Sequence, residues 1–171
     1  NVFATESGIA ENNISPATLL TSANDSSIGY YFSNASAGFG FFIGNTAGTV
    51  GTNLRWEAAH DTNTLYFLIG SSSVGAGGIQ YNNGALLNAR WIGTRRASND
   101  LELYKNGSSV ATQTGNVTNL LNTNPMSIFG ADGGSFVRGT CGFLFFGLGL
   151  TGAQASSLDT IIDDFLTAIG R

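Results

Sequence analysis

Residues 100–114 read Asp-Leu-Glu-Leu-Tyr-Lys-Asn-Gly-Ser-Ser-Val-Ala-Thr-Gln-Thr. Asn106-Gly107 supplies the two residues that tolerate positive φ, as a type I′ turn requires, and that turn matches the twist of paired strands. Before the turn, Leu101 and Leu103 fall on one face and Glu102 and Tyr104 on the other. This is the alternation of an antiparallel strand wetted on one side. The stretch predicts a hairpin of 100–105 against 108–114, and with it an antiparallel β protein.

Working outward, short apolar or alternating segments bounded by Gly, Asn and Ser recur along the chain, the pattern of a sandwich or barrel. Strands are predicted at 2–5, 28–33, 39–43, 52–59, 64–69, 78–81, 89–96, 126–130 and 140–148 as well. In 52–59, Leu54, Trp56 and Ala58 alternate with Arg55, Glu57 and Ala59. Residues 143–146 are apolar on both faces, which predicts a strand covered on both sides, with the terminal helix as one cover. That helix is expected at about 152–169. Thr151 and Gln154 have capping-box spacing, and Leu158, Ile161, Ile162, Phe165, Leu166 and Ile169 follow at helical intervals. Burying such side chains stabilises by roughly 1.5–3 kcal/mol each, so the stripe is expected to dock on a sheet, with Asp159, Asp163 and Asp164 turned to solvent.

The 171 residues fit a single domain, and 42% hydrophobic residues suffice for a core. Only 11% are charged; 17 Ser, 17 Thr, 17 Asn and 24 Gly fill the gap. A surface solvated by hydroxyls and amides suits life outside the cytoplasm or within a large assembly. One Lys and six Arg lie scattered in a chain of net charge −4, so no basic patch is visible for nucleic acid or an anionic membrane. The longest strongly apolar run, 141–150, is about half of the roughly 20 residues a membrane span needs. Beginning at Asn1 rather than Met, the chain reads as a processed product or a piece of something longer.

Chemistry-bearing sets are sparse. His60 and Cys141 are the only His and Cys, which excludes a His/Cys metal site within one chain. Calcium needs only oxygen ligands, and Asp25, Asp61, Asp100 and Asp132 sit in or near loops; without EF-hand spacing they read as turn-capping acids, so no cofactor is expected, with calcium the alternative that no motif supports. No Gly-x-Ser-x-Gly elbow accompanies His60. A polysaccharide hydrolase or lyase would need two apposed carboxyl groups, roughly 5–10 Å apart in the hydrolase case. Glu57 and Glu102, paired across strands, are the candidates. What remains is binding surface. Tyr rings can stack on sugars while Asn and Arg supply hydrogen bonds; Trp56 and Trp91 are assigned to the core by their alternation. The candidate ligand-binding residues are Arg55, Glu57, Tyr66, Glu102 and Tyr104.

Arg95-Arg96-Ala-Ser-Asn-Asp-Leu-Glu-Leu-Tyr104-Lys-Asn106-Gly107 resembles the strand, turn and Tyr-x-Asn-Gly hairpin of concanavalin A-like (laminin-G-like) jelly rolls. Met126-Ser-Ile-Phe-Gly130-Ala131 is similar to their apolar-x-Ile-Gly-Ala strand. Leu150-Thr151-Gly-Ala-Gln154-Ala155 is similar to the start of their closing helix, and 165–171 to the Leu-Gly-Arg tail of versions common in bacteriophage virion proteins. The resemblance covers roughly 89–171. It implies an all-β, two-sheet antiparallel jelly-roll sandwich with one amphipathic C-terminal helix docked on it. It also implies a non-enzymatic role at a virion surface or outside the cell, in a tail fibre, head fibre or decoration domain. The implied partners are cell-surface glycan or other virion proteins, with a homotrimer as the usual assembly of fibres. The calcium ligands of some members have no matching position here. A secreted bacterial adhesion or carbohydrate-binding module is the other non-enzymatic role that the resemblance admits.

Overall fold

The computed structural model describes residues 10–11, 15–33, 40–45, 55–60, 64–71, 76–82, 88–117, 123, 126–128 and 140–170, with backbone alone for 10–11, 40–45, 55–60, 126–128 and Cys141. In chain order these form β1 (Ala10–Glu11), α1 (Pro16–Leu19), β2 (Ser26–Ser33), β3 (Gly40–Asn45), β4 (Arg55–His60), β5 (Thr64–Ser71) and β6 (Ile79–Asn82). They continue with β7 (Arg90–Ala97), β8 (Asp100–Lys105), β9 (Ser108–Gln113), β10 (Met126–Ile128), β11 (Thr140–Gly147) and α2 (Gly152–Ala168). The strand expected at 2–5 lies outside the described residues. The single turn α1, begun by Ser15 and Pro16, was not expected. Four residues are too few to show helical periodicity.

The described strands make two antiparallel sheets, of order β1-β10-β3-β4-β5-β6 and β11-β2-β7-β8-β9. The structure is the expected two-sheet jelly-roll sandwich with a helix docked on it. The β8–β9 hairpin turns at Asn106 (φ 48°) and Gly107 (φ 75°), as Asn-Gly demands. Its tip also touches the helix: the Ser156 hydroxyl donates to the Gly107 carbonyl at 2.8 Å.

Between the sheets lies the main core. Ile28, Tyr30 and Phe32 of β2, Trp91 of β7 and Leu101 and Leu103 of β8 meet Leu65, Phe67 and Ile69 of β5. Packing here is close enough to exclude a methyl group, since a Cβ on Gly93 would stand 2.0 Å from the Phe67 ring. Trp91 is buried as its alternation implies; Trp56, described by backbone alone, pairs in register with the core residue Ile69.

A second cluster lies on the outer face of the five-stranded sheet. Ile92 and Tyr104 pack under Ala155, Ile162 and Leu166 of α2, flanked by Tyr31, Phe143, Phe145 and Leu158. Strand β11 is thus covered on both sides, with Leu144 and Phe146 against the main core and Phe143 and Phe145 against the helix cluster. The capping box forms: Gln154 N–H donates to the Thr151 hydroxyl at 3.3 Å, and Thr151 N–H to the Gln154 side chain at 2.9 Å. The link into the helix is pinned where Leu150 N–H donates to the Thr94 hydroxyl at 2.6 Å.

The expected face of the helix is corrected. Asp159 is buried (5% exposed), whereas Ile161 (64%), Phe165 (50%) and Ile169 (48%) face solvent. The reason is Arg90 of β7, whose Nε bonds Asp159 at 2.9 Å and whose Nη1 bonds Asp163. The ion pair compensates burial of Asp159 and rotates half of the apolar stripe outward.

Candidate functional site

Register and burial separate the five residues singled out in the sequence. Arg55 and Glu57 lie on β4 and Tyr66 on β5, adjacent strands of the six-stranded sheet. Glu102 and Tyr104 lie on β8 of the five-stranded sheet. Glu57 pairs with Leu68 and Glu102 with Thr94 and Thr112. Cross-strand pairing of Glu57 with Glu102 is therefore corrected: the two belong to different sheets.

Glu102 belongs to a closed network on the outer face of the five-stranded sheet. Arg96 donates to both Asp100 oxygens at 2.9 and 3.0 Å and to Glu102 at 3.2 Å. The Ser109 hydroxyl donates to the other Glu102 oxygen at 2.6 Å. Tyr104 was assigned to a solvent-facing side, and this too is corrected: it is 4% exposed, because α2 covers that part of the face. Burial, with a hydrogen bond to the Glu102 carboxylate, pushes the Tyr104 phenol up to about 12. A ring held under a helix cannot stack on a ligand. These groups brace the junction of hairpin and helix.

The remaining loop acids divide the same way. Asp25 accepts from Gly149 N–H at 2.8 Å, and Asp100 holds Arg96; Asp61 and Asp132 lie outside the described residues. Among the described residues no three His, Cys, Asp or Glu side chains come together, and no helix is long and apolar enough to cross a membrane.

The six-stranded sheet offers a different surface. On β5, Leu65, Phe67 and Ile69 point into the core, so Thr64 and Tyr66 take the outer face, half-buried. Opposite them on β6, the last strand in the described order, Gln80 pairs with Tyr66 and Asn82 with Thr64. Gln80 and Asn82 are exposed, and Gln80 Nε2 donates to Asn82 Oδ1 at 3.2 Å. Opposed residues in such a ladder have Cβ atoms about 4.5–5.5 Å apart. The result is a ledge of one aromatic ring, two linked amides and a hydroxyl at the sheet edge. Asn82 was missed in the sequence because the strand expected at 78–81 ends before it, and Gln80, inside that strand, because hydrogen bonding was assigned to Asn and Arg alone. Their signal was there: amides alternating with Ile79 and Tyr81, which pack inward.

No protein-family model and no curated protein matches the chain, but solved structures do. It superposes on domain 4 of AbnA, an extracellular GH43 arabinanase from Geobacillus stearothermophilus solved in complex with arabinotriose. There the TM-score is 0.57 at 13% identity, over 93% of this chain and 87% of that one. The NanB sialidase of Streptococcus pneumoniae gives a TM-score of 0.63 at 11% identity, over 92% of this chain and 27% of that one. The binding domain of botulinum neurotoxin DC, in complex with SialylT, gives 0.58 at 12%, over 81% and 36%. This chain thus spans about a third or less of the sialidase and toxin chains. At such identities the likeness is one of fold, the concanavalin A-like sandwich.

Proposed function

We propose that this chain is a non-enzymatic glycan-binding jelly roll, carried on a virion surface as part of a tail or head fibre or as a decoration domain. The observation that carries the binding half is the ledge of Tyr66, Gln80, Asn82 and Thr64. A sugar presents an apolar C–H face and a rim of hydroxyls. Tyr66 offers area for the first, while the amides and hydroxyl each donate and accept for the second. Similar folds solved with arabinotriose and with SialylT support the same reading. The rival hydrolytic reading depended on Glu57 and Glu102, and their location on different sheets favours binding without catalysis.

The virion setting is supported by the resemblance of 165–171 to phage virion tails and by a Ser/Thr/Asn/Gly-rich composition suited to the outside of a cell or particle. The test is a glycan array on the isolated chain, repeated with Tyr66→Ala. At least one glycan class is expected to be retained. The variant is expected to bind up to about ten-fold more weakly, the equivalent of roughly 0.5–1.5 kcal/mol for one aromatic contact. Absence of any retained glycan would overturn the proposal.

A further inference from the structure

We infer that the ledge takes a neutral oligosaccharide rather than a sialylated, uronic or sulfated one; this rests on the glycan-binding reading and deepens it. An anionic sugar brings a carboxylate or sulfate whose desolvation must be offset by a cation or by several aimed N–H donors. Every cation with a described side chain is already engaged. Arg90 is held by Asp159 and Asp163, and Arg96 by Asp100 and Glu102. Arg95 is fully buried and spends its donors on the carbonyls of Ile69, Ser98 and Gly77. Lys105 lies over the Trp91 ring at 5.3 Å. All four belong to the five-stranded sheet, whereas the ledge lies on the six-stranded one.

The ledge itself carries no charge. On the neighbouring strand β4, Ala59 is the register partner of Tyr66, and Glu57 comes two positions along, nearer than Arg55. With a net charge of −4, the long-range field repels an anion over the roughly 8 Å Debye length at physiological salt. The two amides, by contrast, match vicinal hydroxyls, since a side-chain amide donates through its NH₂ and accepts through its carbonyl.

The experiment is calorimetry of the intact chain against matched pairs: arabino-, gluco- and galacto-oligosaccharides, and sialylated, uronic and sulfated counterparts. Each pair is measured at about 50 and 500 mM salt, alongside Gln80→Ala and Asn82→Ala. Circular dichroism confirms that these exposed-site variants stay folded. The expected result is binding of a neutral member at least ten-fold tighter than its acidic counterpart, unchanged by salt and weakened five-fold or more by Gln80→Ala. Tighter binding of an acidic sugar, lost at high salt, would overturn the inference and leave the glycan-binding reading standing. If no sugar of either kind binds, both fall.

Discussion

Tyr104 shows how far one residue's alternation can be followed. Its face was legible from Leu101 and Leu103, three positions and one position away, but what covered that face was not. Burial raises its phenol from 10.0 to about 12, with the Glu102 carboxylate acting the same way; Tyr30, in the main core, is raised by burial alone. A group whose folded pKa lies above its unfolded one contributes stability that is whole below the unfolded value and is lost as pH rises through the folded value. Stability should therefore hold to about pH 10 and decline between 10 and 12 as Tyr104 deprotonates. Tyrosinate absorbance followed alongside circular dichroism checks this. If all five Tyr ionised together near pH 10 with the fold intact, the burial of Tyr104 and Tyr30 would be refuted.

At the scale of the element, α2 illustrates the difference between a periodic stripe and a docked face. Helical spacing marks every apolar side chain on one broad arc; only the partner surface says which part of the arc is covered. Ala155, Asp159, Ile162 and Leu166 are the covered set, spaced by four, three and four residues, with Arg90 accounting for the acid among them. Ile162→Ala is accordingly expected to cost about 2–4 kcal/mol, whereas Ile161→Ala should stay within about 0.5 kcal/mol of the parent. Urea denaturation of the two variants separates the cases, and equal losses would mean that the whole stripe is docked. The hairpin was easier to read because Asn106-Gly107 fixes its geometry locally, without reference to any partner.

For the whole molecule, three layers follow from one arrangement: a six-stranded sheet, a five-stranded sheet and a helix sealing the outer face of the second. Truncation after Leu150 would uncover Ile92, Tyr104, Tyr31, Phe143 and Phe145 at once, an apolar area larger than monomeric surfaces ordinarily expose. The truncated chain is expected to aggregate or to lose cooperative unfolding, as size-exclusion chromatography and thermal melts would report; a soluble monomer with unchanged Tm would contradict the layer assignment.

The candidate site needed the same three-dimensional information. Tyr66 could be named from its strand, yet Gln80 lies fourteen residues away and becomes its neighbour only through the β5–β6 ladder. Glu57 and Glu102 are a candidate pair by residue type alone, and the strand order puts them in different sheets. By itself the sequence determined what is set within a few residues: strand alternation, the Asn106-Gly107 turn, the Thr151 cap and the antiparallel all-β class. Tertiary structure alone decided which faces meet, because pairing partners distant in the chain, and a single cation at Arg90, choose among surfaces that local pattern leaves equivalent.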